Sequence, residues 1–177
     1  FTPEEASGTV DLVYAFDSSA LEGVTVVVFE DLYHNGIEVT THSDINDEDQ
    51  SVHYPKIRTL ASDVDTGDHV GTVAEGGQIT DILTYENLMA GYEYTVEGTL
   101  MDPESGEAIL DTDGEEITAE ATFTPEAADG TIELTYEIDA SDLAGQTVVV
   151  FERLHHNDVL IASHEDVRDE DQSVHYP

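Results

Sequence analysis

Few side chains in this 177-residue sequence could do covalent chemistry. Cysteine is absent. An extracellular β domain without disulfides needs some other covalent staple, and a cytosolic home is the competing explanation. Lys56, beside Pro55, is the only lysine. A Lys–Asn isopeptide needs a buried lysine, so one at the edge of a unit is not expected to form a cross-link. Asp63, Asp65 and Asp68 in SDVDTGDH faintly outline a calcium loop. They lack the Gly and terminal Glu spacing of an EF-hand, and a solvated acidic loop fits them better. His34, His53, His155, His156 and His175 read as surface histidines on strands. His164 has a more telling neighbour. Gln172 follows it by eight residues, across the polar, turn-capable run Glu165–Asp171. A hairpin centred near Arg168 would set the two directly opposite, with Cβ atoms about 5 Å apart, and an imidazole would then face a carboxamide.

The elements that must position such groups read as strands. Thr131–Ile138 alternates polar and apolar residues, the period of a half-buried strand, and Tyr92–Leu100 does the same. The β-branched runs Val26-Val27-Val28-Phe29 and Val148-Val149-Val150-Phe151 read as buried strands. Asp102–Gly106 and Glu75–Gly77 are turn chemistry. No segment has a convincing helical period. The sequence also repeats itself: residues 1–55 align without a gap on 123–177, and 33 of the 55 positions are identical. Both copies open FTPE, pass through TVVVFE and close on DEDQSVHYP. One full unit is therefore expected at 56–177, preceded at 1–55 by the C-terminal part of another. The fragment is thus expected to come from a longer parent. Seven or so short strands in such a unit predict an all-β, immunoglobulin-like sandwich. With only Tyr54-Pro55 between units, successive copies should stack stiffly end to end.

The VVVFE run, the downstream histidine, DEDQSV, the opening IRTLASD and the middle ILTYENL…GYEYTVEGTLMD together resemble one family. It is the ester-bond-forming immunoglobulin-like repeats of Gram-positive surface adhesins, also called VaFE repeats or T-Q ester domains. The resemblance covers 56–177 and, in its second half, 1–55. It implies a cell-wall-anchored, extracellular stalk protein with a self-formed Thr–Gln ester joining the first and last strands of each unit. Residue by residue, it implies Thr59 in IRTLAS as nucleophile and Gln172 in DEDQSV as acyl donor. The family histidine falls on His164, an aspartate on Asp81 in TDILTY, and a glutamate on Glu152 of VVVFE, with Asp139 in reserve. In the first copy Glu30, His42 and Gln50 take the places of Glu152, His164 and Gln172, and the strand that would carry their threonine is not among residues 1–55.

Such a bond makes definite demands. A threonine hydroxyl needs a base to take its proton, and ammonia must be protonated as it leaves; one imidazole can do both in turn. Buried acids can orient the imidazole and polarise the amide, provided one of them is kept neutral. Afterwards water must be excluded. No cofactor or metal is called for, and the nucleophile is consumed, so no turnover enzyme is expected.

Charge narrows the partners. Four Lys+Arg against 41 Asp+Glu give a formal net charge of −37, which repels nucleic acid and anionic membranes. No apolar run approaches the roughly 18 residues of a membrane span. The expected partners are neighbouring repeats, a host ligand whose nature the sequence does not specify, and a complementing strand for residues 1–55 from another fragment or molecule. A second reading is an extracellular binding module for a host ligand or calcium, with no cross-link. Loss of ammonia separates the two.

Overall fold

The computed structural model describes residues 1–177. In chain order the strands are β1 (Thr25–Val27), β2 (Glu30–His34), β3 (Ile37–His42), β4 (Ser51–His53), β5 (Lys56–Asp63), β6 (Gly77–Glu86), β7 (Tyr94–Met101), β8 (Thr118–Phe123), β9 (Gly130–Ile138), β10 (Gln146–His156), β11 (Val159–His164) and β12 (Ser173–Tyr176). Short 3-10 turns at Glu48–Gln50 and Glu170–Gln172 precede β4 and β12.

Residues 56–177 form an immunoglobulin-like sandwich of two antiparallel sheets. One has the order β5-β6-β9; the other runs β11-β10-β7-β8. Strand β12 joins the second sheet on the same long strand as β11, end to end with it: β11 pairs with Glu152–His156 and β12 with Gln146–Val149 of β10. Period-2 alternation builds the core, because every second side chain of a strand points to the same face. The inward rows are Ile57-Thr59-Ala61-Asp63 on β5, Ile79-Asp81-Leu83-Tyr85 on β6, Leu134-Tyr136-Ile138 on β9 and Val148-Val150-Glu152-Leu154 on β10. Three of these rows carry a polar residue where the pattern asks for an apolar one. Thr59, Asp81 and Glu152 are all buried.

Two glycines make room at the centre. A Cβ at Gly98 on β7 would overlap Tyr136 Oη, and one at Gly130 would overlap Tyr85 Oη, so both large phenols lie flat against glycine backbone.

Residues 1–55 show what the same pattern does without partners. The strand β10 has its counterpart in two short pieces, β1 and β2, paired only with β4 and β3. Residues 8–16 match β9 in sequence yet form no strand, because no β6 equivalent is present to hydrogen-bond with them. Tyr14, Phe16, Val26, Val28, Phe29 and Val52 line an open apolar groove there.

Candidate functional site

The site is assembled by four strands and a turn. Thr59 comes from β5, Asp81 from β6 beside it, Glu152 and His164 from the paired strands β10 and β11, and Gln172 from the 3-10 turn before β12. Glu152 and His164 stand opposite each other in the register of β10 and β11. All five expected residues meet in one place.

The turn that carries Gln172 has its own logic. Asp169 caps it: its Oδ1 accepts the Asp171 N–H at 3.0 Å, and its main-chain carbonyl accepts the Ser173 hydroxyl at 2.7 Å. This throws the Gln172 side chain inward, where it is fully buried. Gln172 Nε2 lies 2.7 Å from Val150 O, 3.1 Å from His164 O and 3.0 Å from Glu152 Oε2. Carbonyls only accept, so the two backbone oxygens fix which end of the amide is nitrogen. Its two N–H bonds are shared among three acceptors, the two carbonyls and Glu152 Oε2. Gln172 Oε1 is buried with no partner.

His164 faces both ways. Its Nδ1 is 3.3 Å from Thr59 Oγ1, and its Nε2 is 3.0 Å from Asp169 Oδ2. The Asp169 carboxylate holds the proton on Nε2, so Nδ1 presents a lone pair to the Thr59 hydroxyl. Asp169 therefore both shapes the turn that carries Gln172 and sets the tautomer of His164. Sequence reasoning missed this residue. Its place at the head of DEDQ is that of a turn cap, but nothing in the spacing shows its second oxygen reaching the histidine.

The two acids behave as a pair. Burial first, and then the charge of Asp81, push Glu152 well above the usual carboxylate range, against smaller downward pulls from Thr59 and Gln172. Burial pushes Asp81 up to about 6, offset in part by a hydrogen bond with Glu152 and by the charge of His164 when that ring is protonated. Both Asp81 oxygens and Glu152 Oε1 are otherwise without protein partners. A single proton held between the two carboxyls relieves both deficits, with Glu152 the more readily protonated. Tyr136, also raised by burial and by these two acids, roofs the pair with an unpartnered hydroxyl.

Several expectations need correction. His164 and Gln172 do not face each other across a hairpin at Arg168. Because β11 and β12 share one edge of β10, they run on end to end, and the contact is from the Gln172 side chain to the His164 carbonyl. Asp139 lies outside the site, exposed and accepting the Ser141 N–H at a turn. Glu152 and Asp81, by contrast, both lie mid-strand with their side chains turned inward. Asp63 is not solvated. It is buried and accepts N–H groups from Asp65, Thr66 and Thr72, which ties the loop together, while Asp65 and Asp68 stay exposed.

The first copy holds half of the same arrangement. Gln50 Nε2 is 2.7 Å from Glu30 Oε2 and 3.5 Å from His42 O, and His42 Nε2 is 2.9 Å from Asp47 Oδ2. No residue there stands in the place of Thr59 or Asp81.

The family model described as the T-Q ester bond containing domain matches residues 1–54 and again 55–176. The chain belongs to this family. Among solved structures it is similar to a bacterial adhesin from Mobiluncus mulieris containing intramolecular disulfide, isopeptide and ester bond cross-links. That adhesin is known in two crystal forms, matched at TM-scores of 0.54 and 0.53, each with 16% identity over 68% of this chain. The match spans 56% of the adhesin chain. At this identity the likeness speaks for the fold. A putative β-galactosidase from Bacteroides fragilis follows at a TM-score of 0.46, with 14% identity over 64% of this chain and 17% of that one. No protein with a curated description matches the sequence.

Proposed function

We propose that residues 56–177 are a self-cross-linking unit of a surface adhesin, in which Thr59 and Gln172 join as an ester and release ammonia. The observation that carries this is the chain of contacts Asp169–His164–Thr59 ending beside a buried glutamine amide held against the buried carboxyl of Glu152. His164 Nδ1 takes the hydroxyl proton as Thr59 Oγ attacks the Gln172 side-chain carbonyl carbon. The C–N bond breaks, and the nitrogen leaves as ammonia after receiving a proton. Glu152, beside that nitrogen, is placed to supply it, and the proton on His164 restores the pair. The oxyanion develops on Gln172 Oε1, a buried oxygen with no partner in the resting state, in a water-poor setting where any donor that reaches it weighs most. The acyl side of the product ester sits on fully buried Gln172 and Glu152, which slows hydrolysis, while Thr59 and His164 line an open cleft on the other side.

The unit acts once and has no turnover. The bond ties β5, at its entry, to the turn before β12, at its exit, so tension along an array of such units bypasses the fold between. This supports the stalk of an extracellular, cell-wall-anchored protein of a Gram-positive bacterium as its setting. Residues 1–55 fit as the closing part of a preceding unit. Their apolar groove and half-built site fit strands equivalent to β5, β6, β7 and β8, supplied by preceding sequence or another molecule. Gln50 should stay an amide until a threonine-bearing strand arrives, and supplying that strand should ligate it.

Proteolytic mapping tests the assignment. Fragments containing Thr59 and Gln172 should run joined, and hydroxylamine should part them. Separate fragments from folded protein, or a junction that resists hydroxylamine, would refute it.

A further inference from the structure

The proposed ester site uses only the first half of DEDQSVHYP. His53 and His175, near the end of each copy, remain without a task, as do Thr25 and Thr147. The structure holds this closing segment in two states. In the first copy, Thr25 Oγ1 donates to Asn87 Oδ1 at 2.9 Å, His53 Nδ1 is 3.0 Å from the same oxygen, and Asn87 Nδ2 donates to the Tyr54 carbonyl at 3.3 Å. The Tyr54 carbonyl can only accept, which fixes the amide orientation and makes His53 Nδ1 a donor. Asn87 belongs to the next unit, in the turn after β6. It has a left-handed backbone (φ 63°), which asparagine tolerates better than most residues, and its N–H is anchored on Asp129 Oδ1 at 3.0 Å.

In the second copy the same acceptor is built and uncovered. Thr147 Oγ1 and His175 Nδ1 are 2.9 Å apart, and His175 Nε2 is 3.1 Å from Glu170, as His53 Nε2 is 3.3 Å from Glu48. The His53 side chain is 17% exposed beneath Asn87, while that of His175 is 44% exposed. The Tyr54 carbonyl accepts from Gly23 N–H and from Asn87; the Tyr176 carbonyl accepts from Gly145 N–H, and its second lone pair is open.

We propose that Thr147, His175 and the Tyr176 carbonyl form a docking site for the entry turn of a following copy of this repeat, keyed by the residue equivalent to Asn87. The proposal rests on the tandem-array reading and adds the residues that set its joint. Only Tyr54-Pro55 separates β4 from β5, and proline fixes one of the few free torsions there. Hydrogen bonds spread across that short joint then leave little freedom for one unit to swing on the next.

The test uses the 177-residue chain and the same chain extended by one more copy of residues 56–177 after Pro177. Histidine reactivity toward diethyl pyrocarbonate is read by peptide mass mapping. In the 177-residue chain His175 should react several-fold faster than His53, and Asn87→Gly, which keeps the left-handed backbone and removes the amide, should abolish that difference. In the extended chain His175 should slow to the rate of His53, and Asn87→Gly in the added copy should restore its reactivity. Loss of ammonia in the added copy is scored separately. Protection of His175 without an ester would count against the cross-linking reading and for the joint. An ester with His175 still reactive would do the reverse. His53 staying protected in the Asn87→Gly chain would overturn the proposal whatever the added copy does.

Discussion

At the residue scale, Asp169 is the side chain with two duties. Asp169→Asn can still cap the turn but cannot hold His164 with a charge. Bond formation should slow, read as the time course of mass loss in freshly folded protein, while the melting temperature of unlinked material stays nearly unchanged. An Asp169→Asn protein that links at the native rate would limit the residue to its cap. His164→Ala should block the bond or slow it by a factor of 10² or more, the usual reach of general acid–base catalysis. The buried acids were more legible than the turn. Asp81 falls on the inward row Ile79-Asp81-Leu83-Tyr85, and Glu152 on Val148-Val150-Glu152-Leu154. An acid at a core position of an alternating strand is an anomaly that periodicity alone exposes. Asp169 left no such trace, because its second contact depends on how the 3-10 turn aims one carboxylate oxygen.

At the scale of elements, alternation and turn residues carried the sandwich. Thr131–Ile138 and Tyr92–Leu100 correspond to β9 and β7 within a residue or two. Pairing was harder to read. A polar run between two strands suggests a hairpin, yet β11 and β12 share the edge of β10, and only the length of β10 makes that possible. Residues 8–16 make the same point in reverse, since they keep the β9 pattern and form no strand. Tertiary partners decide. The β7 strand offers a direct check. Gly98→Ala would drive a methyl into the hydroxyl end of Tyr136, a buried phenol that feels the charge of both acids. The expected cost is about 1–3 kcal/mol of stability in unlinked protein, read by urea unfolding, with slower bond formation. A neutral Gly98→Ala would mean that Tyr136 can move aside without loss.

For the whole molecule, cross-linking changes what pH does to stability. In a Thr59→Ala protein, which cannot link, Asp81 titrates near 6 when folded against 3.8 when free. Its raised value means that the associated stability is fully present below about pH 4 and is lost as pH rises through 6, on the order of 3 kcal/mol; Glu152 extends the loss upward. The double variant Thr59→Ala/Asp81→Asn should lose much of that slope in urea melts between pH 4 and 7. Equal slopes would show that the pair is not the cause. The bond closes a loop of about 114 residues, worth about 4–5 kcal/mol if the relation for disulfides carries over. All of this depends on the bond itself, and an intact mass under denaturing conditions reads it directly. The wild-type chain should weigh about 17 Da less than its sequence, one ammonia lost with Gln50 unlinked, and Thr59→Ala should show no deficit beyond the substitution. A well-folded wild-type chain at its full sequence mass, or a Thr59→Ala chain that keeps the deficit, would contradict the account.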